Sequence, residues 1–229
     1  MPLLEMNLDG IAAMRSQLQV PGLDPVMAAG IAELAGVDSI SLTSREGETR
    51  HAKLLLETTN IRFNWHVPIN EKSIESVMTY PPDMVTFIDA HREDGCLDLR
   101  GTTELKRVFE QIRPVKSMAV CVRINSDIKQ LKSAYKVGAD YIEINSLPYT
   151  RAKTLEERLE ALEKISGVAR IAHKYEIGVI VSGGLGTQNI REVANLEPVE
   201  TLTIGKAILG KALFIGLENA LRDFIFLVK

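Results

Sequence analysis

The chain has 229 residues, of which 45% are hydrophobic and 25% charged, with a formal net charge of −3. That length suits one α/β barrel over residues 1–229 better than two small domains, and charges interleaved without a basic block argue against nucleic acid or a membrane surface as partner. Cys96 and Cys121 lie in separate segments without C-x-x-C spacing, which suits a reducing compartment. The start Met1-Pro2-Leu3-Leu4-Glu5 lacks a basic leader, no apolar run reaches membrane-spanning length, and the expected location is the cytoplasm.

Strand and helix signals alternate from end to end, the pattern of βα units around a parallel sheet. Leu3 to Asp9 reads as the first strand, and Asp24-Pro25 as an N-cap and N1 proline opening a helix that Gly36 stops after Ala35. Asp38 to Leu42 is the second strand, a helix begins near His51, and Ile61 to Val67 is the third. Asn70 caps a helix that ends before Pro81-Pro82, and Asp83 to Ile88 is the fourth strand. Thr102 caps a helix to Arg113, Lys116 to Asn125 holds the fifth strand, and Ser126 caps a helix to Val137. Asp140 to Asn145, Ile177 to Val181 and Glu200 to Ile204 complete eight strands, with helices over Thr154 to Tyr175 and Thr187 to Leu196 between them. Eight is the count of a (β/α)₈ TIM barrel.

Residues alternate faces along a strand. One set is apolar, for instance Leu4, Met6 and Leu8, or Phe63, Trp65 and Val67. The other is polar: Glu5, Asn7 and Asp9; Ser39 and Ser41; Asn64 and His66; Arg123 and Asn125; Tyr141, Glu143 and Asn145; Thr201 and Thr203. In a closed barrel the apolar set meets the helices and the polar set points inward. An interior this polar requires pairing, either as a structural network such as an Arg123–Glu143 ion pair or as a reaction site. Polar residues gathered at strand C-terminal ends favour a site there, because that is where such barrels work.

Two glycine turns follow the last two strands, Ser182-Gly183-Gly184 and Gly205-Lys206. Each strand run passes into a helical pattern, so backbone N–H groups collect where an anion is favoured. They match the phosphate site that TIM barrels build after strands seven and eight. Lys206 adds a point charge, and the expected ligand is a small phosphorylated substrate, with inorganic phosphate or sulfate as simpler occupants. The connections Met14 to Leu23, Thr43 to Arg50 and Asp89 to Gly101 share this face, and the latter two, polar throughout, could act as lids. No acidic or histidine pair has metal-ligand spacing, no Ser-His-Asp elbow is present, and no cofactor is indicated. Leu213, Phe214, Leu217, Ala220, Leu221, Phe224, Ile225 and Val228 recur with helical period, and Ile215, Phe226 and Leu227 widen that apolar face enough to predict a homo-oligomer.

Over nearly its whole length the chain resembles the pyridoxine 5'-phosphate synthase family. The resemblance is carried by Asn7-Leu8-Asp9-x-Ile11-Ala12-x-Met14-Arg15, by Asp24-Pro25-Val26-x-Ala28-Ala29-x-Ile31-Ala32-Glu33-x-Ala35-Gly36, and by Tyr141-Ile142-Glu143-Ile144. Tyr149-x-x-Ala152-Lys153-Thr154 and Ile204-Gly205-x-Ala207-Ile208-x-Gly210 add to it. It implies an oligomeric barrel with extra helices that, without an organic cofactor, condenses 1-deoxyxylulose 5-phosphate with 3-amino-2-oxopropyl phosphate to close the vitamin B6 ring. It also implies that the turns at Gly183-Gly184 and Gly205 hold substrate phosphate, that Asn7 and Asp9 line the mouth, and that Glu143 faces the substrate. The chain departs from the family motif where that motif has histidine, at Gly10, Ser41, Asn145, Gly183 and Lys206, and it has His66 where the motif has glutamate. Asp9, His66 and Glu143 are then the expected catalytic set, with Ser182, Gly183, Gly184, Gly205 and Lys206 on phosphate and Asn7, Ser41, Arg45, Arg123 and Asn145 around the mouth. The alternative is a non-catalytic paralogue that keeps the phosphate cradle.

Overall fold

Eight strands pair in chain order, each parallel to the next, and the last returns to the first to close a barrel. The computed structural model describes all residues except 21, 45–48, 101, 102 and 116 and the side chains of 103 and 104. The elements are β1 (Leu3–Asn7), α1 (Asp9–Leu18), α2 (Pro25–Ala35), β2 (Ser39–Thr43), α3 (Arg50–Thr58), β3 (Arg62–Pro68), α4 (Glu71–Thr79), β4 (Met84–Ile88), α5 (Thr103–Ile112), β5 (Ala119–Ile124) and α6 (Ile128–Val137). They continue with β6 (Tyr141–Asn145), α7 (Leu147–Thr150), α8 (Leu155–Lys174), β7 (Gly178–Ser182), α9 (Ile190–Ala194), β8 (Thr201–Ile204), α10 (Lys206–Ile215) and α11 (Leu217–Val228). Among the described residues no helix is long and apolar enough to cross a membrane.

Local chemistry starts three helices, α2, α4 and α8, where expected. The Asp24 carboxylate accepts from the Val26 N–H at 2.8 Å with Pro25 at N1. Asn70 Oδ1 accepts from Ser73 at 2.8 Å, and Thr154 and Glu157 form a reciprocal capping box for the 20-residue α8. For α6 the cap is Asp127 rather than Ser126. Its carboxylate accepts from Lys129 at 2.7 Å, and a carboxylate facing a helix N-terminus is a better acceptor than a hydroxyl. The expected cap Thr102 and the start at Lys116 lie outside the described residues; the fifth strand itself begins at Ala119.

Strand alternation decides the rest. Leu4, Met6, Ile40, Leu42, Phe63, Trp65, Val67, Val120, Val122, Ile142, Ile144 and Leu202 are all buried under the helices. Each such side chain contributes about 1.5–3 kcal/mol on burial, and a one-residue slip would turn the set inward, so the register is fixed. Inside, the lower layer is a hydrogen-bonded network around Glu5. Its carboxylate accepts from Thr203 Oγ1 at 2.9 Å, Asn64 Nδ2 at 3.2 Å and Ser39 Oγ at 3.4 Å, while Thr86 Oγ1 donates to Asn64 Oδ1 at 2.7 Å. Burial pushes the Glu5 carboxyl above its ordinary value, more than the opposing pull of His66 and of these hydrogen bonds.

Four expectations are corrected. The first strand ends at Asn7, because the Asn7 side-chain oxygen accepts from the Asp9 N–H at 3.1 Å and turns the chain into α1. The supposed connection from Met14 is therefore helical as far as Leu18. The Thr187–Leu196 helix shrinks to Ile190–Ala194, since Asn189 Oδ1 accepts from Gly186 at 2.8 Å and holds the preceding residues in a turn. The C-terminal stripe is broken at Gly216, whose φ of 81° is open to glycine but not to most residues. That break lets α11 fold back on α2, α9 and β1, burying Ala220, Leu221, Phe224 and Val228 within the chain.

Candidate active site

A cavity of about 1010 Å³ opens at the C-terminal ends of the strands. It is lined by Asn7 and Asp9 at the β1–α1 junction, His66 of β3, the β4–α5 connection from Asp89 to Gly95, Arg123 of β5 and Glu143 of β6. Ser182 to Gly186, and Thr203 to Ala207, complete the wall. Of the expected residues, Ser41 and Asn145 are instead packed beneath it. Ser41 Oγ accepts from Asn7 Nδ2 at 3.3 Å, and Asn145 is used at both ends, donating to Asn125 Oδ1 at 2.9 Å and accepting from Leu147 N at 3.0 Å. Arg45 lies outside the described residues.

The centre is Glu143, fully buried, one of whose oxygens, Oε1, accepts from Arg123 Nη1 and from the Ser182 hydroxyl. Ser182 Oγ in turn accepts from Arg123 at 2.7 Å, so guanidinium, hydroxyl and carboxylate form a closed triangle. Burial alone would raise the Glu143 carboxyl, but the charges of Arg123 and His66 and the bonds from Ser182 and Arg123 outweigh it and hold the group below its ordinary range. Burial likewise opposes the Arg123 charge, and Glu143 together with Cys96 and Asp94 more than offsets it.

The other carboxylate oxygen, Oε2, faces His66 Nε2 at 3.5 Å. Both atoms are buried, and among the described residues neither has a hydrogen-bond partner. Unsatisfied buried polar atoms cost about 1–3 kcal/mol each, so this pair is the least satisfied part of the cavity wall. Asp9 is different: its two oxygens accept from Thr43 N and Thr43 Oγ1, each at 2.7 Å, which pins the mouth of β2. Among the described residues no three histidine, cysteine or acidic side chains are grouped to hold a metal ion.

The glycine turns share one wall of the cavity. Gly205 is the N-cap of the ten-residue α10 and makes no side-chain cap bond, so the first-turn N–H groups of α10 have no intrahelical acceptor. A Cβ on Gly205 would lie 3.0 Å from both the main-chain and side-chain oxygens of Asn7, so close approach and not backbone angle requires glycine there. Gly183 and Gly184 both have positive φ, 110° and 72°, but they lead into the turn before α9 and not, as the sequence predicts, directly into a helix. What they present to the cavity is main-chain N–H groups in a positive-φ turn. Lys206 stands exposed at the rim.

Sequence reasoning missed Asp94, whose main-chain oxygen accepts from Arg123 Nε at 2.8 Å, and Thr43, the partner of Asp9. A main-chain acceptor leaves no signature in residue type; Thr86 of the inner network, by contrast, was readable from alternation in Met84-Val85-Thr86. A smaller depression of about 420 Å³ lies at the other end of the barrel, lined in part by Arg113, Tyr135 and Tyr175. Arg113 is spent there on the Gly138 carbonyl and Asp140.

Comparison with known proteins places this geometry. Residues 4–229 match the family model described as pyridoxal phosphate biosynthesis protein PdxJ. A pyridoxine 5'-phosphate synthase of Geotalea daltonii is 35% identical over 99% of this chain and 98% of its own length, and one of Prochlorococcus marinus is 32% identical over 99% and 95%. Among solved structures, a 4-hydroxy-2-oxoglutarate/2-dehydro-3-deoxyphosphogluconate aldolase superposes with a TM-score of 0.65 at 13% identity, over 99% of this chain and 94% of that one. Phosphoribosylanthranilate isomerase of Thermotoga maritima superposes with 0.63 at 10%, over 100% and 98%; at such identities these two speak for the barrel fold alone. With an end-to-end family match and relatives above 30% identity around a closed eight-stranded barrel, the chain belongs to the PdxJ family of pyridoxal phosphate biosynthesis proteins.

Proposed function

We propose that residues 1–229 act as a single-domain enzyme on a small phosphorylated substrate, in the manner of the pyridoxine 5'-phosphate synthases it resembles. The substrate phosphate binds at Gly183-Gly184 and Gly205-Lys206, and its reacting end lies against His66 and Glu143. The observation that carries this reading is the orphaned pair, His66 Nε2 and Glu143 Oε2, buried on the cavity wall. His66 moves the proton, being the histidine on that wall and a side chain suited to transfer near neutral pH. Glu143, held as a carboxylate, orients the imidazole and balances its charge as it protonates. Asp9, with both oxygens on Thr43, holds the mouth in shape.

The alternative, a binding protein that keeps the cradle without chemistry, draws support from that same occupancy of Asp9 and from Asn145, which is locked into structural bonds. Turnover separates the two. Incubation with 1-deoxyxylulose 5-phosphate and 3-amino-2-oxopropyl phosphate is expected to yield pyridoxine 5'-phosphate or another product of those substrates, and His66→Ala to lower the rate by about 10²–10⁴-fold while leaving phosphate binding near wild type. In calorimetry Lys206→Ala is expected to weaken phosphate binding only several-fold, because an exposed charge contact is worth roughly 0.2–1 kcal/mol. Gly205→Val should weaken it more, by displacing Asn7. A wild type that binds neither phosphate nor either phosphorylated substrate would overturn the assignment.

A further inference from the structure

We propose that Arg123 is the positioning residue of this site, a strut that fixes the free oxygen of Glu143 toward His66 and at the same time fastens the β4–α5 connection over the cavity. The inference rests on the reading of that cavity as the reaction site. Three separate elements meet on one side chain. Arg123 Nη1 donates to Glu143 of β6 and, at 2.7 Å, to Ser182 of β7, while Nε donates to the Asp94 carbonyl at 2.8 Å. The main chain of the same residue takes part: the Arg123 carbonyl accepts from Leu97 N at 2.9 Å. The connection lies directly on the guanidinium stem, since a Cβ on Gly95, at φ 66°, would sit 3.3 Å from Arg123 Cδ and Nε.

The arrangement leaves Glu143 little freedom. Turning the carboxylate would break two charge-assisted bonds on Oε1, so Oε2 stays aimed at His66. Only a planar fork supplies donors in both directions at once; a lysine ammonium is a point charge on a flexible stem. The other titratable groups facing this cluster are Glu5 of β1, His66 of β3, Cys121 of β5, and Asp94 and Cys96 of the connection. Burial pushes the Cys96 thiol up to about 12 and the Cys121 thiol well up too, so both stay neutral. Without Arg123 the interior would hold the Glu143 carboxylate with no permanent cation beside it, and the Glu143–His66 pair would take up a proton.

Two readouts on the full chain, both without substrate, test this. Carbon NMR of labelled glutamate carboxyls and histidine rings, with Glu143→Gln as the assignment control, counts protons on the pair. Hydrogen exchange reports the amides between Asp89 and Leu97. Arg123→Met is expected to gain a proton on Glu143 or His66 at neutral pH and to speed exchange in that segment by about tenfold, the loss of one charge-assisted bond. Arg123→Lys is expected to restore the wild-type proton count yet leave the segment as loose as in Arg123→Met. The strut is refuted if Arg123→Met gains no proton, or if Arg123→Lys either gains one or leaves exchange at the wild-type rate. Should Arg123→Met fail to fold, the lysine variant decides alone. Failure here leaves the phosphate-binding assignment standing, and failure of phosphate binding leaves these two readouts unaffected.

Discussion

Two buried glutamates sit inside one barrel and behave in opposite ways. Glu5, in the lower layer, accepts its hydrogen bonds from hydroxyl and amide groups, and burial drives its carboxyl above the ordinary value of 4.5. Glu143, in the upper layer, meets a guanidinium, and its carboxyl falls below that value despite complete burial. The first network is satisfied within itself; the second leaves Glu143 Oε2 and His66 Nε2 without partners. A buried polar network that closes on itself needs no ligand. One that keeps two open atoms beside a cavity is what the proposed reaction site rests on.

Removing either carboxylate breaks this contrast, with unequal force. Glu143→Ala strands the Arg123 charge, and breaking a buried pair in this way costs about 3–5 kcal/mol, so urea denaturation should show a large loss of stability. The opposite shifts next predict opposite pH dependences. Glu143, lowered in the folded state, contributes stability present above 4.5 and lost as pH falls through its folded value. Glu5, raised, contributes stability present below 4.5 and lost as pH rises through its folded value. Denaturation midpoints followed across pH should therefore lose part of their acid-side fall in Glu143→Gln and part of their rise-of-pH loss in Glu5→Gln; identical profiles for the two variants would erase the distinction. At a fixed pH near 4.5, Glu5→Gln should change stability by less than about 1.5 kcal/mol, because glutamine reproduces the shape and most bonds of a protonated glutamate.

The smallest effect on stability, within about 0.5 kcal/mol, is expected at the outer surface. Phe214 and Phe226 remain 89% and 77% exposed on α10 and α11. If these faces join copies of the chain, Phe214→Ser should lower the mass seen by light scattering while leaving Glu5 and Glu143 titrating as before. A wild-type monomer at working concentrations would remove the homo-oligomer from the reading.

How much of this was legible in the residues differs from layer to layer. Alternation placed Glu5, Asn64, His66, Arg123 and Glu143 on the inner face, since a period of two leaves no other choice once the barrel closes. The Arg123–Glu143 pair followed from inward placement on adjacent strands, where the two residues are register partners. The helix starts at Asp24, Asn70 and Thr154 were visible because a cap is a bond between residues two or three apart. Errors gathered where a local turn interrupts a longer periodic pattern: the end of β1, set by Asn7 turning the chain; the turn after Gly183-Gly184, held by Asn189; the fate of the C-terminal stripe after Gly216.

The sequence by itself thus determined the barrel, its polar interior and the end at which a site would form, because these depend on periodicity and short-range chemistry. Only the tertiary structure decided which polar residues close on one another and which stay open. Asp9 and Asn145 belong to the same inward-facing set as His66 and Glu143, yet the first two are spent on Thr43, Asn125 and Leu147 while the second two face each other at 3.5 Å. Apart from the local Asn145–Leu147 bond, that difference rests on contacts between residues 20 to 77 positions apart, whose distances are set when the barrel closes.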